Sequence, residues 1–194
     1  MQIPENETAT ARLREEHALI LRIADVLERL VERSEVAGET DFDAFSDCGT
    51  FIRLFTDACH HGKEEDLLFP ALERQGLPRD AGPIGVMLEE HRQGRELARR
   101  MRDALELARA GDGDGAALER LHGAGRDWVA LIRGHILKED NVLFNMADQM
   151  VRGPSCRSLC EGYDAVCARR FEGRTKDRLE ELAADLVRRV LTGG

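Results

Sequence analysis

Residues 60–70 read HHGKEEDLLFP: two histidines, a lysine and three acids running directly into Leu-Leu-Phe-Pro. A solvated loop has no need of Leu67, Leu68 and Phe69, and a plain core helix has no need of His60 and Glu64. At four-residue spacing His60 and Glu64 share one face of a helix, with Cβ atoms about 5–6 Å apart. Two groups on one side can grip the same object.

The stretch has a twin. HILKEDNVLF at 135–144 matches HHGKEEDLLF at 60–69 in its His, Lys, Glu, Leu and Phe, 75 positions further on. Upstream, LREEHALI at 13–20 is echoed by MLEEHRQG at 87–94, at an offset of 74. A helical hairpin is thus repeated, and each copy offers one EEH and one H-x-x-K-E. A duplicated hairpin with nothing bound would also repeat, but the choice of residues argues against it. His17 falls in line with Leu13, Ile20 and Ala24, His91 with Ile84, Leu88 and Ala98, and His135 lies between Ile132 and Val142 with Glu139 one turn on. Burying such groups without a partner costs several kcal/mol per charge. The pattern therefore predicts a metal site built from His17, His60, Glu64, His91, His135 and Glu139.

Around these motifs, apolar residues recur at helical period in four long segments, about 8–36, 41–69, 83–110 and 116–150. Gly38 ends the first, Asp41 is placed to cap the second, and Pro70 is expected to kink or stop it. Pro83 suits a first helical turn, and GDGDG at 111–115 is the clearest turn. Four such helices with short loops predict an all-α, antiparallel four-helix bundle over 8–150. Gly153 and Pro154 then open a C-terminal extension over 151–194, with two shorter helices at about 155–171 and 176–191.

Composition sets limits on function. A net charge of −9 on 194 residues, with arginines scattered among acids, argues against a nucleic-acid surface. No apolar stretch approaches the ~18–20 residues of a membrane span, and MQIPENETAT reads as too polar for a signal peptide. Five cysteines, an odd number, suit reduced thiols in a cytoplasm.

Imidazole and carboxylate donors without thiolate suit iron, manganese or zinc, and carboxylates bridging paired cations neutralise charge inside a bundle core. The donor set, in this order and spacing, resembles the hemerythrin-like (HHE cation-binding) proteins over about residues 8–150. The resemblance implies two iron ions, joined by an oxo or hydroxo bridge and bridged by Glu64 and Glu139. His17 and His60 would serve one iron, His91 and His135 the other. Two departures from the oxygen carriers stand out. Arg95 stands where those proteins have a second histidine on the third helix, and their fourth-helix carboxylate would correspond to Asp140, whereas the repeat favours Glu139. Four histidines and two glutamates resemble instead the di-iron proteins of iron–sulfur-cluster repair and nitric-oxide stress, although the small cysteine-bearing domain often attached to those has no counterpart here.

The remaining polar residues read as secondary. His61 would point ~100° away from His60 on an α-helix, which makes it a surface residue or a neighbour of the ligands. His122 reads as surface. Glu16 and Glu90 suit either acceptors for ligand ring N–H groups or a solvated face, and Lys63 and Lys138 suit pairing in solvent. Cys156, Cys160 and Cys167 share one helix face with Tyr163 and Phe171, which reads as apolar filler of a docking helix before a redox pair or a metal site. Gly162 is a candidate break in that helix.

Three functions follow. The first is a di-iron protein that binds or reacts with O2, NO or peroxide in sensing or stress defence. The second is a di-iron oxidoreductase acting on an organic substrate, and the third an iron store or donor for metal-centre repair. With Arg95 in place of a histidine, both irons are expected to keep an open position. The redox partner is not legible, and a homodimer stays open.

Overall fold

The computed structural model describes residues 8–111 and 115–192, in which every regular element is helical. Residues 1–7 of the N-terminal stretch and 112–114 of the GDGDG turn lie outside the described residues. Six helices follow in order: α1 (Ala11–Ala37), α2 (42–74), α3 (Gly82–Ala110), α4 (116–150), α5 (Pro154–Arg170) and α6 (176–192). The first four form the expected bundle, in which α1 packs on α2 and α4, and α3 on the same two neighbours. Among the described residues, no helix is long and apolar enough to cross a membrane.

Local chemistry sets the ends. Gly38, at φ 68°, donates its N–H to the Ser34 carbonyl, a left-handed cap that glycine adopts without steric cost. Asp41 accepts the Ala44 N–H at 2.9 Å and opens α2. Pro70 does not stop α2. The backbone is π-helical over Glu64–Leu68, and the Phe69 N–H reaches back five residues to the Glu64 carbonyl. Pro70 then falls in the first turn of the α-helical stretch Phe69–Arg74, a position where proline is tolerated. The same wide turn recurs 75 residues later, at Glu139–Leu143 in α4. The duplication therefore extends to backbone geometry. One residue of the predicted stripe is displaced by it: Val142 is 48% exposed.

Two apolar layers form the core. One gathers Ile20, Phe55, Cys59, Ile132 and Ile136, the other Leu13, Leu68, Phe69, Met87 and Phe144. Along every bundle helix the predicted donors fall between the two layers, so a polar slab is sealed above and below by hydrocarbon.

The extension is woven into both layers. Tyr163 joins the second and donates its hydroxyl to the Ala9 carbonyl at 2.9 Å, while Phe171, Leu179 and Leu186 join the first. Gly162 does not break α5. A Cβ there would lie 2.9 Å from Leu67 Cδ1, so the missing side chain lets α5 seat on α2. All three cysteines of the extension are buried, as a docking face requires. Cys167, however, is joined to Cys59 of α2 by a disulfide, contrary to the expectation of reduced thiols throughout. The pairing crosses 108 residues of sequence, and spacing within a single helix carries no sign of it.

Candidate metal centre

All six predicted donors meet in the slab, and all are buried. Each of the four histidines engages its Nδ1 with an outer carboxylate: His17 with Asp140 at 3.0 Å, His60 with Glu16 at 3.1 Å, His91 with Glu65 at 2.7 Å and His135 with Glu90 at 3.0 Å. An Nδ1–H so held fixes the ring and leaves the Nε2 lone pair facing inward. The inner geometry is reciprocal. Glu64 Oε1 lies 3.5 Å from His60 Nε2 and its Oε2 3.3 Å from His91 Nε2. Glu139 Oε2 lies 3.1 Å from His17 Nε2 and its Oε1 3.4 Å from His135 Nε2. Each glutamate thus turns one oxygen to each histidine pair.

None of the four carboxylate oxygens has a hydrogen-bond partner, and neither do the Nε2 atoms of His91 and His135. Buried polar atoms in native proteins are paired as a rule, so this group of orphans is a set of donors aimed at something else. His17 Nε2 and His60 Nε2 stand 3.1 Å apart, close to the ~3 Å between two nitrogens in neighbouring positions on one cation at ~2.1 Å bonds. The residues fit a pair of cations.

Charge is arranged to match. Each outer carboxylate has its own cation: Lys63 and Lys176 on Glu16, Lys138 on Glu90, Arg95 on Glu65 and Arg14 on Asp140. Of the carboxylates around the slab, Glu64 and Glu139 have no lysine or arginine partner among the described residues. Burial, reinforced by the neighbouring Glu139 carboxylate, pushes Glu64 well above the usual carboxylate range. Burial also pushes His60 down to about 4, a neutral ring that is ready to ligate. At Glu16 burial works the other way from its partners, and the bonds to His60 and Lys63 win, holding it well below its ordinary value.

Several readings are corrected here. Of the two readings of Glu16 and Glu90, the structure takes the first: their carboxylates face the Nδ1 atoms of His60 and His135. Lys63 is buried on Glu16 rather than paired in solvent, although Lys138, on Glu90, stays half-exposed. His122 is buried, with its Nε2 2.9 Å from the Ser34 hydroxyl. Arg95 directs its charge to Asp57, at 2.7 Å, and to Glu65, not to a ligand position. Asp140 holds the His17 ring from outside. The acids after each inner glutamate, Glu65 and Asp140, were visible as a matched pair in the repeat. His61 takes the second of its two readings, a neighbour of the ligands, but it is turned inward rather than ~100° away. A π-helical stretch, Ile52–His61, fits more residues into each turn and brings both His60 and His61 inward. Beside His61, His91 and His135 lies a cavity of about 360 Å³, walled by Leu27, Phe45, Ile52, Leu121 and Trp128.

Removing an outer carboxylate tests the orienting role. Glu16→Ala should weaken metal binding about 10–100-fold, and leave Lys63 buried without its partner. Equal affinity in a competition titration against a chelator would count against it.

Comparisons with known proteins give the chain's family. The chain is 27% identical over 171 residues to uncharacterized proteins of Mycobacterium tuberculosis and Mycobacterium bovis, an alignment that covers 87% of this chain and 66% of theirs. No solved structure matches it. Residues 8–147 match the hemerythrin HHE cation binding domain. With that match spanning most of its length and two sets of His and Glu donors each able to hold a metal ion, the chain belongs to the hemerythrin HHE cation-binding family.

Proposed function

We propose that the slab holds two iron ions, with His17 and His60 on one, His91 and His135 on the other, and Glu64 and Glu139 bridging both. The observation that carries this is the reciprocal placement of the two carboxylates, one oxygen of each toward each histidine pair. An iron pair held by these residues would supply electrons to a small oxidant such as O2, NO or peroxide, and we propose sensing of or defence against such species as the role. The chain's own part is positional. Outer carboxylates fix four rings, two apolar layers cover the slab, and the outer ion pairs leave the two inner carboxylates for bound cations to neutralise.

A second reading, oxidation of an apolar organic molecule, draws support from the cavity beside His91 and His135. Its ~360 Å³ exceeds what a diatomic needs and falls in the ~300–1,000 Å³ range of small-molecule pockets.

Anaerobic loading with ferrous iron, followed by desalting and metal analysis, tests the proposal. About two irons per chain are expected, with a visible spectrum that changes on adding NO or air. One iron or none would overturn it. Stripping the metal with a chelator should lower the melting temperature by about 8–16 °C per ion, taking each ion at ~1,000 times its Kd (~4 kcal/mol) and ~2–4 °C per kcal/mol for a chain this long. An unchanged melting curve would mean that the folded state does not bind the ions preferentially.

A further inference from the structure

His61 has no counterpart in the repeat. The equivalent position, 75 residues on, is Ile136, which is buried in the apolar layer. One half of the centre therefore carries an imidazole that the other lacks. That imidazole is 5% exposed, and neither of its ring nitrogens has a hydrogen-bond partner. The nearest carboxylate, Asp57, stands 3.6 Å from its Nδ1, beyond hydrogen-bond reach, and is held by Arg95 instead. Burying both nitrogens unpaired costs about 1–3 kcal/mol for each group left unsatisfied, so a merely structural ring at this point would be poor design. The ring lies against His91, 3.9 Å between centroids with 13° between planes, and meets His135 edge-on at 5.5 Å. Two rings so nearly parallel cannot both aim an in-plane lone pair at one ion, so sharing a metal with His91 requires the His61 ring to tilt out of this stack. Nitrogens of His61, His91 and His135 and an oxygen of Glu64 all lie within 4.8 Å of one another, and all four residues are buried.

We propose that His61 is a ligand of the metal held by His91 and His135. The two metals are then unequal by construction. The His17/His60 side has four donors from this chain, two nitrogens and one oxygen from each bridging glutamate. The His91/His135 side has five. The backbone explains how one helix serves both: the π-helical stretch ending at His61 delivers consecutive side chains to opposite ends of the centre, His60 to one pair and His61 to the other. A third-helix histidine is then not needed at Arg95, whose charge is engaged by Asp57 and Glu65.

The inference rests on the two-metal reading, and its test separates the two. Apoprotein is loaded anaerobically with cobalt(II), and the hyperfine-shifted, solvent-exchangeable ring N–H protons are counted by NMR. Five are expected in the unmodified chain, four if His61 is outside the coordination sphere. In parallel, His61→Leu should bind its first ion at least tenfold more weakly than the parent, because the five-donor position fills first, and its second ion as the parent does, with one N–H signal lost. Added imidazole should restore the first affinity in His61→Ala, entering through the adjoining cavity. Two ions with four signals in the parent, or a first affinity unchanged in His61→Leu, would overturn the role of His61 while leaving the two-metal centre standing. A parent chain that takes up only one ion would overturn the two-metal reading itself, and this inference with it. Should the variants fail to fold, the N–H count on the parent decides alone.

Discussion

Glu64→Ala should reduce iron in the anaerobically loaded chain from about two per molecule to less than one, and Glu139→Ala should do the same. Each side chain turns an oxygen to both histidine pairs, so each substitution takes a donor from both metals at once. Deleting an outer carboxylate removes only ring orientation, and Asp140→Ala should therefore cost no more than the ~10–100-fold in affinity typical of such partners. The contrast between Glu139 and Asp140, adjacent in sequence, is the sharpest part of the test. Circular dichroism guards against misfolding, and the metal-free Glu64→Gln variant adds a sign that a structural role would not give. Glu64 already tends toward its neutral form because of burial and the nearby Glu139, so a permanently neutral amide should leave the metal-free fold as stable or more so, while abolishing tight binding. Full iron content in both alanine variants would sink the bridging assignment.

Ending the chain at residue 154 should have the largest effect on stability. Fully burying a large apolar side chain is worth about 1.5–3 kcal/mol. Tyr163, Phe171, Leu179, Leu186 and Val190 are all buried against the bundle. Together they carry an amount comparable to the ~5–15 kcal/mol total stability of an ordinary domain. The truncated chain should be insoluble or melt at least ~10–20 °C lower, at ~2–4 °C per kcal/mol for a chain of this size. Loss of the Cys59–Cys167 link adds to this, since closing a loop of ~100 residues is worth up to about 4.7 kcal/mol in the chain-entropy account. Iron loading should survive wherever the fragment stays folded, because the six predicted donors all precede Gly153. It should be weaker at the His60 end, where Lys176 no longer supports Glu16. A fragment with the parent's melting temperature would show that the bundle stands without its extension, and the boundary we propose at residue 150 would then be a true domain boundary.

The sequence by itself determined which residues meet. A repeat with offsets of 74 and 75 places EEH and H-x-x-K-E on four helices, and helical period alone puts His17, His60, Glu64, His91, His135 and Glu139 on inward faces. Antiparallel hairpins then bring four inward faces to one axis. That reasoning holds because it needs only the angle between residues on one helix, a local property. It failed where the local angle itself changes. A 3.6-residue turn points His61 ~100° away from His60, whereas the π-helical stretch Ile52–His61 brings both inward, and Val142 is turned outward at the matching wide turn in α4.

Only the tertiary structure decided the pairings between helices: Glu16 with His60 rather than with solvent, Lys63 and Lys176 converging on Glu16, Arg95 engaged by Asp57 and Glu65, Cys59 opposite Cys167. Spacing along one helix says that a side chain is near the axis or on a flank. Which group it meets there depends on the rotation and axial shift of a neighbouring helix, and those are set by how side chains of both layers interlock across the whole molecule.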